Sequence, residues 1–387
     1  MTRARDLADS ADKDIAGTLT LDGLDVAGNV SVDGGTIKLD GNYPVGTGNV
    51  ALGDAALDST DGTANYNIAI GNSALTSLTT GDNNVAIGYI ALQDATTASE
   101  NTAIGVAALG DVTSGGNNTA VGRSALRANT TGINNVAIGA DALDANLTNS
   151  NNVAIGKSAL TASTASNNTA VGYQAAYSNT TGTITAFGNR AGYSATTATN
   201  NSIFGVDANY YTTTGSENTS FGYNAGAFTT TGSNNTALGS QALRANTTAS
   251  NNTAVGYQSL YTNNTGTENV AVGAQALYPA TGDVNTAVGY WAGRNTSTGT
   301  SNTMLGNRAM RANTTGSNNV AVGRQALDAN TTASNNTAVG YQAGYSNTTG
   351  SVTAFGQGAS FSNTTGADSV AVGIQALYSN STGNFNT

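Results

Sequence analysis

The stretch Asn83-Asn84-Val85-Ala86-Ile87-Gly88 decides how this chain is read, because it returns as Asn117-Asn118-Thr119-Ala120-Val121-Gly122 and in related versions to the C-terminal end. Its last residue marks twenty copies, running from Gly53 through Gly88, Gly122, Gly156, Gly205, Gly256, Gly306 and Gly340 to Gly373, almost all 17 residues apart. A helical-hairpin repeat needs roughly 33 to 47 residues, whereas one coil of a β-solenoid fits a period this short. The expected fold is all-β: a parallel β-solenoid, or β-roll, of about 20 coils with a 17-residue period over residues 49–387.

Numbered from the coil glycine, position −4 is Asn in 17 of 20 copies, the exceptions being Ile184, Val352 and Ser369. Position −2 is usually Ala, −1 is always Leu, Ile, Val or Phe, +3 is Ala with the exception of Ser259, and +4 is most often Leu. The fixed positions form two clusters, which predicts two short strands per coil joined by two turns. The 18-residue spacing before Gly71 and the 16-residue spacings before Gly172, Gly188, Gly289 and Gly356 fall between the clusters, where turns absorb them. Coils stacked about 4.8 Å apart set equivalent side chains in ladders, and an Asn ladder lets each amide bond the next. The invariant glycine requires either positive φ or an approach too close for a Cβ, two reasons the sequence does not separate.

Strand alternation sends −3 and −1 to one side, and −2 and the glycine to the other. If the roll encloses the small Ala face, the larger Val, Ile, Leu and Phe face forms a long apolar stripe that calls for a cover, since burying one such side chain is worth about 1.5 to 3 kcal/mol. That arrangement predicts a homotrimeric fibre with the stripe at a shared axis. The alternative is a monomer with the large face inside and the Ala face outside.

The 387 residues include 49 glycines but only 9% charged side chains, and the net charge is −10. Thirteen Lys and Arg residues are scattered without a basic stripe, so no nucleic-acid partner is expected. With no Cys and no His, thiolate and imidazole metal sites are excluded, and no cofactor is implied. Asp and Glu change position from coil to coil, which leaves a paired-carboxylate hydrolase as the one catalytic alternative to a chain that is not an enzyme. Nothing approaches the roughly 18 apolar residues of a membrane span, so no membrane insertion is expected. Residues 1–48 lack the repeat phrase. Leu7, Ala8, Ala11 and Ile15 mark a short polar helix, and alternating pairs such as Leu19 with Leu21, Val30 with Val32 and Ile37 with Leu39 mark short strands. These residues are expected to form an attachment and capping region. At the other end, Asn386 and Thr387 fall at −4 and −3 of a further copy, so the array is read as truncated mid-coil, with a distal tip missing.

The phrase followed by two variable residues and Ala, as in Asn83 to Ala91 and Asn151 to Ala159, resembles the head-domain repeat of trimeric autotransporter adhesins of the YadA-like kind. The resemblance covers residues 49–387 and implies left-handed parallel β-rolls associated as homotrimers. The repeat here is longer than that family's, and no secretion signal or membrane barrel is visible. The Asn-Thr-Thr-Gly turns and the opening Met1 to Asp9 are similar to tail-fibre-like structural proteins of bacteriophages. Together they imply a structural and adhesive fibre: a phage tail fibre or virion appendage shaft for host attachment, located on the virion or an extracellular surface. Its partners would be itself, a host surface glycan or protein, and other tail proteins through the N-terminal region. A cell-surface trimeric adhesin head is the alternative. An ice-binding β-solenoid is the second, disfavoured because its regular Thr ladder is replaced here by turn positions that drift among Thr, Ser, Ala and Asn.

Aromatic residues are the binding candidates, because ring faces suit sugars. Tyr173, Tyr257, Tyr290 and Tyr341, with Tyr89 and Tyr223, directly follow coil glycines, and Trp291 is the one tryptophan. The first four and Trp291 are the expected glycan contacts. A second series, Tyr177, Tyr193, Tyr210, Tyr345 and Phe361, occurs where +4 is not Leu, and is expected to fill the volume the leucine would occupy.

Overall fold

The computed structural model of the protein describes residues 46–387, so the helix and strands expected before residue 46 lie outside the described residues. Twenty strands of three or four residues follow one another from β1 (Val50–Leu52) to β20 (Ser369–Val372). Each pairs in parallel with its sequence neighbours: β1 sets Ala51 opposite Ala69 of β2 (Ile68–Ile70), and the same −2 register persists to Ala354 of β19 (Val352–Phe355) opposite Ala371. At about 4.8 Å per strand this one sheet is roughly 90 Å long. The chain is a parallel β-solenoid. Shortened coils keep the register, since β7 (Val153–Ile155) still places Ala154 opposite Ala170 of β8 (Thr169–Val171), 16 residues on.

The expected second strand is absent, and its place is taken by a run of turns. Positions +2 and +4 there are left-handed, as at Gln258 (φ 54°) and Leu260 (φ 47°). The N–H at +2 is directed to the preceding coil and that at +4 to the following one, while +3 bonds within its own coil, as Ser259 N–H does to Gly256 O at 3.3 Å. Gln258 N–H donates back to Ser240 O at 3.1 Å, and Leu260 N–H donates forward to Ala276 O at 3.0 Å. A left-handed leucine costs about 1 to 2 kcal/mol. The inter-coil bond and the complete burial of Leu260 offset that cost.

The interior is filled from both sides by small and aliphatic groups: Ala120 at −2 meets the layer of Ala125 and Leu126 at +3 and +4, and all three are 0% exposed. The −1 side chains point outward, with Ile138 at 38%, Phe221 at 59% and Leu305 at 47% exposure, which excludes the alternative with the large face inside. Where +4 is not Leu, the outer aromatics do not fill the gap, because +5 points away from the interior. The volume is taken instead by enlarged residues at −4 and −2. Ile184 and Ile203 close over Gly192, and Met304 closes over Gly293.

Two buried Asn columns hold the corner between turn and strand. Asn118 at −4 accepts the N–H of Asn135 through Oδ1 at 2.9 Å and donates through Nδ2 to Gly132 O at 2.9 Å, 14 residues along its own coil. Asn129 at +7 donates to the same carbonyl at 3.0 Å. Asn recurs at +7 at Asn146, Asn263 and Asn313, whereas Leu78, Ala95 and Val112 take the position in earlier coils, so the column is not read from the sequence. Ile184 and Val352 interrupt the −4 column, yet their own N–H groups still donate to Asn168 and Asn336.

At the coil glycine both sequence-level reasons hold together. Gly256 has φ +126°, and a Cβ there would lie 2.8 Å from the carbonyl carbon and oxygen of Gly273 in the next coil. We expect Gly256→Val to lower stability by about 1 to 3 kcal/mol or more, read as a fall in Tm, whereas Thr248→Ser leaves Tm near the parent value. Equal melting temperatures for the two variants would contradict this role of the glycine.

Candidate functional site

Among the described residues no group of His, Cys, Asp or Glu is arranged to hold a metal ion, and no helix is long and apolar enough to cross a membrane. The features available for function are therefore three outer surfaces, each a set of straight columns generated by the coil register.

The strand face carries −3 and −1. Val and Thr alternate irregularly at −3, as at Val136, Thr253 and Val270, and are half-buried to exposed. With the −1 side chains they form a ribbon of β-branched and aliphatic groups along the sheet, and stacked Phe187, Phe204 and Phe221 widen it in three successive coils, at 5.0 and 5.6 Å between ring centres.

A second surface is built from +1, +2 and +5. Tyr173, Tyr257, Tyr290 and Tyr341 all fall in the +1 column, where exposure runs from 41% to 52%, and Tyr223 joins them at 52%. Trp291 lies one column over, half-buried, with its ring centre 4.7 Å from that of Tyr290. The expected contacts thus share a face but are spread along it, and only Tyr290 and Trp291 touch. Sequence reading missed the amides beside them. Gln258 donates to Gln241 and Gln275 donates to Gln258, both at 2.8 Å, and Trp291 Nε1–H donates to Gln275 Oε1 at 2.8 Å. Gln recurring at +2 in successive coils was the available signal.

The +5 rings stack on one another. Tyr177, Tyr193 and Tyr210 are 5.2 and 5.0 Å apart and nearly parallel, and Tyr345, Phe361 and Tyr378 repeat the arrangement at 5.0 and 4.8 Å. Arginines continue the ladder: Arg244 sits 4.8 Å from the Phe228 ring and 5.6 Å from that of Tyr261. Arg190 Nη2 donates to Asp207 Oδ2 at 2.9 Å, which raises the Arg190 pKa, and with Tyr210, Tyr211, Phe228 and Arg244 this pair lines a cleft of about 210 Å³.

The third surface is the corner after +7, where the structure shows threonine runs that the sequence reading did not separate out. Position +8 is Thr from Thr164 to Thr247, with Thr213 Oγ1–H donating to Thr230 O at 3.1 Å and Thr230 Oγ1–H to Thr247 O at 3.0 Å. The column is interrupted at Leu147, Asn264 and Ser297, so the drift seen in the sequence persists between regular threonine runs. Along this rod, comparison with known protein-family models and with curated proteins finds no match.

Burial, followed by the neighbouring Tyr210 and Tyr177, raises the Tyr193 pKa above the ordinary tyrosine value. The folded chain then holds this proton after the unfolded chain has released it, so the stability it contributes is complete below about pH 10 and is lost as pH rises beyond that. Thermal melts from pH 8 to 11.5, a range spanning that value, should show Tyr193→Phe losing less Tm on the alkaline side than the parent. Identical alkaline slopes would contradict the assignment.

Proposed function

We propose that this chain is the shaft of a structural and adhesive fibre, a phage tail fibre or virion appendage that attaches to a host surface, and that it works as a homotrimer. The observation that carries the reading is the apolar strand face, which runs the full length of the sheet with −1 side chains such as Ile104 at 38%, Leu238 at 37% and Leu305 at 47% exposure. Soluble monomers rarely leave a patch of that extent open. Each rung adds a fraction of the 1.5 to 3 kcal/mol or so that burying a whole aliphatic side chain provides, and the fraction is summed over many coils. Copies that turn this face to a common axis keep the tyrosine and arginine columns on the outside.

A rod whose stability comes from nearest-neighbour coils extends without limit of size, which suits a part that must reach. The virion or an extracellular surface is the proposed location, with residues 1–48 joining the fibre to other tail proteins and a surface glycan or protein as the external partner. A cell-surface adhesin head shares every one of these physical features, and mass spectrometry of purified virions against cell-envelope fractions separates the two. Ice binding gains from the Thr runs at +8. Their hydroxyl donors are already engaged with backbone carbonyls of the next coil, however, and thermal hysteresis tests the reading directly.

Analytical ultracentrifugation tests the assembly. We expect a trimer at micromolar concentration, and dissociation when Leu238→Lys, Val255→Lys and Val272→Lys place charges on three successive rungs, with the circular dichroism spectrum unchanged. A parent chain that sediments as a stable monomer would overturn the proposal.

A further inference from the structure

The aromatic and amide columns support a more specific reading, which rests on the adhesive function proposed above and names its ligand. We infer that the outer face of the coils from Gly222 to Gly289 is a binding strip for an extended, unbranched β-1,4-linked glycan.

Spacing is the first argument. Tyr223, Tyr257 and Tyr290 occupy the +1 column in alternate coils, and the coils between them carry Ser240 and Ala274 there. The three rings are 52%, 52% and 47% exposed, and the intervening side chains are too small to stand between them. Two coils amount to about 9.6 Å along the axis. That is close to the length of two pyranose rings in an extended chain. In a β-1,4-linked chain successive rings are turned over, so the same ring face recurs at every second sugar. A row of aromatics at alternate rungs meets that repeat. An α-1,4-linked chain coils and cannot follow a straight column.

The second argument is chemical. A pyranose ring presents C–H groups from its face and hydroxyls from its rim, and it binds where an aromatic ring adjoins oriented polar groups. Gln241, Gln258 and Gln275 lie in the adjoining column and are bonded in series at 2.8 Å, which fixes their orientation. Each amide nitrogen carries two hydrogens, so Gln258 and Gln275, which use one within the series, keep a second for a hydroxyl or acetamide oxygen. Trp291 Nε1–H and Arg294 Nε–H both end on Gln275 Oε1, at 2.8 and 3.2 Å, closing the series. A fixed polar row beside spaced rings is preorganised for its ligand.

The stacked rings at +5 serve as a contrast. Tyr261 and Tyr278 lie 5.0 Å apart at 2°, so those two rings cover each other's facing sides. Tyr223 and Tyr257, each 52% exposed, stack on no other ring among the described residues, while Tyr290 is backed by Trp291 at 4.7 Å.

Isothermal titration of the full chain with chitohexaose, cellohexaose and maltohexaose tests the inference. Six β-linked rings offer three like faces, one each for Tyr223 and Tyr257 and one for the stacked Tyr290–Trp291 pair. We expect heat on titration of at least one of the two β-1,4-linked hexaoses and none with α-1,4-linked maltohexaose. Tyr257→Ala should weaken the bound hexaose by about tenfold or more, the order expected for losing one ring contact with its buried area. Tyr89→Ala, in the same column but outside the strip, should bind as the parent does. Because Tyr257 is exposed, its variant is expected to keep the parent's Tm and sedimentation. Binding of neither β-1,4-linked hexaose, equal binding of maltohexaose, or an unchanged affinity in Tyr257→Ala overturns the inference. An assembled trimer that binds no hexaose removes the glycan strip and leaves the fibre, whereas a monomer that binds chitohexaose does the reverse.

Discussion

The structure depends on one buried carbonyl and the amides that meet it. At the corner of the coil, Gly132 O accepts from Asn118 Nδ2 at the start of the strand and from Asn129 Nδ2 at the end of the turn run, at 2.9 and 3.0 Å. Without these donors a backbone carbonyl would be buried unpaired, a loss of about 1 to 3 kcal/mol; where +7 is Leu78, Ala95 or Val112, the −4 Asn alone meets it. The same Asn118 accepts the backbone N–H of Asn135 above it, so closing one coil and stacking the next are a single arrangement. Everything else follows from the register this sets.

With the register fixed, equivalent residues meet at strand spacing, and whatever the sequence repeats becomes a column. The glycines form one because the next coil leaves no room for a Cβ. The alanines form another, keeping the roll thin enough for Leu at +4 to reach across. A thin roll has little interior, so the large aliphatic side chains at −1 must lie outside, and an apolar outer ribbon follows from the narrow core.

Departures from the repeat are handled locally. Where +4 is glycine, Ile184 and Ile203 close over Gly192 and Met304 over Gly293, whereas Gly226 faces Asn209 and Ser220. The outer columns are freer. Tyr, Gln, Arg and small residues replace one another there while the interior stays closed, so the outer chemistry varies along a constant core.

The period, the parallel coils, the buried alanines and the −4 Asn ladder were legible in the sequence, because each is a residue type recurring at one interval and the interval itself demands stacking. The +1 tyrosines could also be placed in a common column. The second strand was misread because Ala and Leu at +3 and +4 look like strand residues, and residue type does not reveal that Leu260 is left-handed; only the direction of its N–H, pointing to the next coil, requires it. The role of Tyr177 and Tyr193 was misread for the same reason, since the handedness of the turn run decides which of two adjacent positions faces inward. Tertiary structure alone settled these points: a repeat fixes which residues meet, while the backbone dihedrals between them fix the side on which they do so.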